Sequence, residues 1–199
     1  MAIGIDFENQ AHAEGFRFVA GVDEVGRGCL AGAVVAAAVI LDLSQPLPAG
    51  LNDSKKLSEK KRLEIDEQIR RTAVAFSVAQ IEADEIDRIN ILQATKKAMR
   101  AAIENLIPKA DFLLIDAVQL KEINLPQKAI IKGDAISASI AAASIVAKTY
   151  RDNLMREFDK IYPEYGFAGH VGYGTKAHYE ALRQHGACPL HRKTFRGVV

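Results

Sequence analysis

Gly21-Val22-Asp23-Glu24-Val25-Gly26-Arg27-Gly28 sets two adjacent carboxylates beside a glycine-flanked arginine, directly after Phe16-Arg17-Phe18-Val19-Ala20, a run that reads as a strand. Side-by-side carboxylates repel, and each loses hydration when buried, so the pair calls for a proton or a bound cation. The glycines let the backbone turn sharply and approach a ligand without Cβ atoms in the way. Together these features suit a metal-bound phosphate. An exposed acidic pair followed by a plain glycine turn accounts for the same residues, and the stretch alone does not separate the two readings.

The neighbouring sequence places this stretch in a sheet. Phe16 to Asp23 is strand one, and the Val- and Ala-rich segment Ala31 to Leu41 reads as a buried second strand, forming an antiparallel hairpin with it. Ala73 to Ile81 alternates weakly and reads as a third strand. Phe112-Leu113-Leu114-Ile115 is continuously apolar and ends in Asp116, the pattern of a strand buried on both faces beside a parallel neighbour. Ala129-Ile130-Ile131 is a short strand running into Lys132-Gly133-Asp134. Three helices are expected: Ser58, as N-cap, to about Arg70; Asp84 to Ile107; and Ile136 to Ile161. The last has a first half of Ala and Ser, so other backbone can pack against it closely. Five cations between Lys55 and Arg62 read mainly as a solvated helix face, whereas Lys55 and Lys56 precede the cap on a loop suited to phosphate contact. An N-cap role for Asp134 would explain that residue without chemistry.

With 199 residues, the chain fits one domain, or a domain with an appendage. Its 26 Lys+Arg against 25 Asp+Glu leave a net charge of +1, so a nucleic-acid partner would have to be served by local charge segregation. From Arg151 onward eight Lys/Arg face five Asp/Glu, among glycines, histidines and aromatics that suit a surface lying on nucleic acid. The five histidines show no recognised metal spacing and read as non-catalytic. Cys29 and Cys188 lack zinc-ligand spacing and are too few to suggest a disulfide framework; Cys29 reads as a buried thiol. The apolar run Leu30 to Leu41 is shorter than the roughly 20 residues that span a bilayer. A cytoplasmic protein without a membrane segment is expected, and near-neutral charge without a coiled coil suggests a monomer.

Pairing strand one parallel with the Phe112 strand would bring Asp23 and Glu24 to Asp116, with Asp134 delivered by a third segment. Four convergent carboxylates without Cys or an evident His ligand favour a hard divalent ion, Mg²⁺ or Mn²⁺. Two such ions would serve phosphodiester hydrolysis.

The chain resembles bacterial ribonuclease HII over nearly its whole length. The resemblance rests on Asp23-Glu24-Val25-Gly26-Arg27-Gly28, Asp53-Ser54-Lys55-Lys56-Leu57, Asp116, Lys132-Gly133-Asp134, the helix Ser137 to Asp152, Gly172-Tyr173-Gly174-Thr175 with His178, and the closing His191-Arg192 and Phe195. It implies an α/β ribonuclease H-like fold: a five-stranded mixed sheet flanked by helices, with residues 1–161 as the catalytic domain and 162–199 as a C-terminal helical substrate-binding appendage of the same compact unit. It also implies that Asp23, Glu24, Asp116 and Asp134 hold two Mn²⁺ or Mg²⁺ ions with substrate. The Gly26-Arg27-Gly28 backbone would meet the ribose 2′-hydroxyl, and Tyr173 would bond that hydroxyl and pack on the following deoxyribose. Lys55, Ser144 and Lys148 would contact phosphates. The implied substrate is an RNA–DNA hybrid, or duplex DNA with an embedded ribonucleotide cut on its 5′ side to leave 3′-hydroxyl and 5′-phosphate ends, as in ribonucleotide or primer RNA removal.

Two rivals compete with this reading. Gly26-Arg27-Gly28-Cys29-Leu30-Ala31 satisfies a dinucleotide-binding pattern, but the residues after Ala31 read as a strand where that pattern requires a helix. A catalytically silent hybrid-binding module would need a lost acid, and all four acids are present.

Overall fold

A computed structural model describes residues 3–198. Its centre is a five-stranded mixed sheet built from β1 (Val19–Val25), β2 (Val34–Ile40), β3 (Ala75–Ile81), β4 (Phe112–Asp116) and β5 (Gln127–Ile130), in the order β3-β2-β1-β4-β5. The hairpin β1–β2 and the pair β2–β3 are antiparallel, while β1–β4 and β4–β5 are parallel. The hairpin β1–β2 and the parallel pair β1–β4 are those the hydrophobic runs predict, and the five-stranded mixed sheet is the one the family resemblance implies. Its ends differ for local reasons. β1 begins at Val19 because the amides of Arg17 and Phe18 donate to the Asp111 carboxylate, each at 2.8 Å. β2 begins at Val34 because residues 30–32 bond the C-terminal segment: Leu30 N–H donates to Gly172, Gly32 N–H to Leu190, and Leu30 accepts from Arg192 N–H.

The helices are α1 (Asp6–Ala13), α2 (Glu59–Thr72), α3 (Ala83–Ile89), α4 (Ile91–Glu104), α5 (Ala138–Ile161), α6 (Phe167–His170) and α7 (Lys176–His185). Strand residues alternate between the two sheet faces. Ala36, Ala38, Ala20, Val22, Leu113 and Ile115 meet Met99, Ala102 and Ile103 of α4. Val35, Ala37 and Val39 meet α2 and α5 on the other face. There α5 lies directly on β1. A Cβ on Gly21 would stand 2.0 Å from the Ser139 carbonyl carbon, so only glycine permits this approach. The Ala- and Ser-rich first half of α5 is the matching surface.

Two expectations are corrected. The single helix from Asp84 to Ile107 is two helices. Asn90 adopts φ 67° and accepts from the amides of Leu92 and Gln93, so it stops α3 and caps α4. Asp134 does not cap the long helix. Ser137 does, accepting from Ile140 N–H, and Asp134 sits in a separate 3₁₀ turn, Gly133–Ala135. The first fifteen residues carry little signal in sequence, and from residue 3 on, where the structure describes them, they include α1. Its buried Glu8 accepts from the hydroxyls of Ser137 and Ser139 at 2.6 Å each and from Ser139 N–H at 2.9 Å.

The C-terminal segment packs on α5 and on residues 29–33 through Ala31, Met155, Tyr165, Phe167, Ala181 and Cys188. Both cysteines are buried free thiols. No helix among the described residues is long and apolar enough to cross a membrane.

Candidate active site

The parallel register pairs Val22 with Ile115, which puts Asp23 and Asp116 side by side at the carboxyl ends of β1 and β4. Both point to the α5 face: each lies two residues beyond Gly21 or Leu114, and Leu114 packs against Ile140 of α5. Asp116 accepts from Gly133 N–H at 2.7 Å, which fixes the turn carrying Asp134. A Cβ on Gly133 would come within 2.5 Å of Ile140, so glycine lets this turn lie against α5. Asp134 is buried and takes an ion pair from Lys55 at 3.1 Å. Glu24 faces the other side of the strand end and pairs with Arg27 at 3.3 Å.

These acids are short of positive charge. Burial pushes the Asp23 carboxyl well above the usual carboxylate range, and the charges of Glu24, Asp116 and Asp134 push it further. Glu24 is raised by burial against the opposing pull of Arg27. Asp116 is raised by burial and by Asp134, against the Gly133 amide. The second carboxylate oxygen of Glu24 is buried without a partner. Among the described residues no three His, Cys, Asp or Glu side chains are already gathered as a ligand set, and Lys55 and Arg27 each occupy one acid. An all-oxygen donor set with an orphaned oxygen and mutually raised acids fits a divalent cation of the Mg²⁺ or Mn²⁺ kind.

Two fully buried arginines hold the Gly26-Arg27-Gly28 turn and the chain that follows it from inside. Arg192 donates to the carbonyls of Gly26 (2.7 Å), Arg27 (2.9 Å) and Gly32 (2.8 and 3.0 Å). Burial pulls its guanidinium down to about 10, so it stays charged at neutral pH. Arg151 donates to the carbonyls of Ala31, Ala33 and Val171. Gly26 has φ +88°, and a Cβ there would stand 2.2 Å from Arg151 Nε, whereas Gly28 has open space around it. With two carbonyls taken by Arg192, the turn offers its amides instead: among the described residues the N–H groups of Arg27 and Gly28 have no acceptor. Sequence reasoning misses the roles of Arg151 and Arg192, because nothing in their local sequence marks an arginine as buried.

Tyr173 is half-exposed beyond this turn, with Lys148 Nζ 5.9 Å from its ring centre. Lys148 also bonds Asp152 at 2.7 Å, and Asp152 takes Arg62 at 3.0 Å. Arg62 is therefore buried in an ion network and does not belong to the solvated face expected of its run. The buried Ser144 hydroxyl shares a 2.7 Å hydrogen bond with Ser54 and so holds the turn that presents Lys55.

The ribonuclease HII family model matches residues 20–198. The chain belongs to the ribonuclease HII family. It is 56% identical over 191 residues to ribonuclease HII of Desulfitobacterium hafniense, covering 96% of this chain and 73% of that protein. Two solved structures share the fold at 26% identity. One is the ribonuclease H2 of Pyrococcus horikoshii OT3, with a TM-score of 0.77 over 92% of this chain and 95% of that one. The other is the ribonuclease HII of Archaeoglobus fulgidus, solved in complex with PCNA, with a TM-score of 0.78 over 90% and 96%. The chain is thus an endonuclease that degrades the RNA of RNA–DNA hybrids, from a family that depends on divalent metals.

Proposed function

We propose that this ribonuclease cuts on the 5′ side of a ribonucleotide embedded in duplex DNA, as well as within the RNA strand of hybrids, leaving 3′-hydroxyl and 5′-phosphate ends. The observation that carries the reading is the buried acid cluster at the ends of β1 and β4, held beside a turn with unpaired amides. Asp23, Glu24, Asp116 and Asp134 would hold two divalent ions, which when bound activate water and stabilise the departing 3′ oxygen. Lys55 would leave Asp134 for a phosphate, Lys148 would meet the backbone beside Tyr173, and Ser144 would contribute through the Ser54–Lys55 turn it holds. The Gly26-Arg27-Gly28 backbone, through the free amides of Arg27 and Gly28, would meet the 2′-hydroxyl, the group that distinguishes RNA from DNA. The half-exposed Tyr173 ring would pack on the next sugar, tolerating deoxyribose. Residues 162–199 would act as the substrate-binding appendage of a single compact unit, working as a monomer in the cytoplasm.

The test is cleavage of end-labelled duplexes carrying one, four or all ribonucleotides, with Mg²⁺ or Mn²⁺, and mapping of the cut. A single cut 5′ of the lone ribonucleotide, lost in Asp134→Asn, is expected. Cleavage of the all-RNA strand with none at the lone ribonucleotide would exclude the junction reading. Full activity in Asp134→Asn would exclude the metal assignment.

A further inference from the structure

Two buried histidines, which the sequence leaves without a role, connect the C-terminal segment to Tyr173. His191 Nδ1 lies 3.0 Å from Cys188 N–H, which only donates, so Nδ1 accepts and the ring proton sits on Nε2. That Nε2 lies 3.0 Å from His178 Nε2, so His191 donates and His178 accepts. His178 then carries its proton on Nδ1 and donates it to the Tyr173 carbonyl at 2.9 Å. Each bond sets the tautomer of the next ring. The chain runs from Cys188 N–H through His191 and His178 to Tyr173.

The segment it reaches needs holding. Val171 adopts φ 42°, a left-handed conformation costly for a β-branched residue, and Gly172 follows at φ 84°. Arg151 holds the Val171 carbonyl and the relay holds that of Tyr173. The next residue after His191 is Arg192, which holds Gly26 and Arg27. One short segment, Cys188 to Arg192, therefore reaches both the glycine turn and the tyrosine.

We propose that His178 and His191 are positioning residues, which hold Tyr173 in register with the Gly26–Gly28 turn and so set the preference for an RNA-to-DNA junction. The inference rests on the junction role proposed for Tyr173. It predicts, in the full-length metal-free protein at neutral pH, that imidazole ¹⁵N spectra show His178 as the Nδ1–H tautomer and His191 as the Nε2–H tautomer. Any other tautomer, or an imidazolium, overturns the relay. In cleavage assays the readout is the rate on a single-ribonucleotide duplex divided by that on a uniform hybrid. His178→Leu removes the bond to Tyr173 and should lower this ratio roughly 5–10-fold, the value of one hydrogen bond. His178→Asn keeps a donor near the Nδ1 position and should restore most of it. Equal loss on both substrates in His178→Leu, without rescue by His178→Asn, would mean a merely structural role and sink the inference. Tyr173→Ala separates the two readings. If it keeps the preference, the role of Tyr173 falls and the inference with it; if it loses the preference while His178→Leu keeps it, only the relay falls.

Discussion

Asp23 shows at the scale of one side chain what the site costs the fold. Its carboxylate is buried beside three other acids, and burial is the largest reason its proton affinity rises. Its Oδ1 accepts from Glu24 N–H, a bond that an amide oxygen can keep. Asp23→Asn removes the charge without removing that bond. It should raise the melting temperature of the metal-free protein by ~2–4 °C, the equivalent of about 1 kcal/mol, while abolishing cleavage. Differential scanning fluorimetry in chelator, beside a cleavage assay, checks both halves; a lower melting temperature would show that the acid cluster is not under repulsion. The two glycines of the turn separate fold from recognition. Gly26→Ala meets a left-handed φ and the Arg151 side chain, and should cost more than about 2 kcal/mol of stability by urea unfolding. Gly28→Ala meets neither, so stability should hold while cleavage at a lone ribonucleotide slows by about tenfold, if a methyl displaces one amide bond to the 2′-hydroxyl.

Among the elements, α5 explains how β1 and the Asp134 turn come together, and its first turn is tied to α1 by side chains. Glu8 from α1 takes three donors there through one oxygen. Glu8→Ala would leave the buried Ser137 and Ser139 hydroxyls without that acceptor, and should lower stability by about 2–3 kcal/mol in urea titrations. Glu8→Gln keeps the oxygen and should lose less. Here the limits of the sequence are physical. The middle of the sheet is legible because β1, β2 and β4 are apolar runs and because the parallel pairing of β1 with β4 follows from a strand buried on both faces, whereas β5 is half polar and its place beside β4 is not. The four acids are legible because they stand at strand ends or beside Gly133. Glu8 is not, since its helix lacks a strong apolar stripe and its partners lie more than a hundred residues away. The break at Asn90 is hidden for a different reason: apolar periodicity continues through it, and only the left-handed φ stops the helix. Asp134 and Ser137 are equally good caps by type, and the tertiary position of the turn on Asp116 decides between them.

For the molecule as a whole, the C-terminal segment is tied in by buried polar groups as well as by apolar contact, which makes its attachment sensitive to acid. Burial pulls His191 down to about 4, with the charges of His178 and His170 adding to the effect; His178 is lowered too, by burial first. A protonated His191 would still donate through Nε2, but its Nδ1 could no longer accept from Cys188 N–H. A protonated His178 would turn a second N–H toward His191. The unfolded chain takes up these protons at the ordinary histidine value near 6.5, before the folded one does. The relay's contribution is therefore complete above about pH 6.5 and is lost as pH falls toward 4, the direction opposite to that of the raised acids Asp23, Glu24 and Asp116. For His191 alone the loss between pH 7.5 and pH 5 is about 2 kcal/mol, or ~4–8 °C in melting temperature. His191→Asn keeps an acceptor near Cys188 N–H but does not titrate in this range. Thermal unfolding of both proteins in chelator, from pH 7.5 to 5, cancels the carboxylates common to both. The variant should start less stable and lose less on acidification, so the two curves converge; parallel curves would mean that folded His191 takes up its proton at the ordinary histidine value, and diverging curves that it already carries one at pH 7.5.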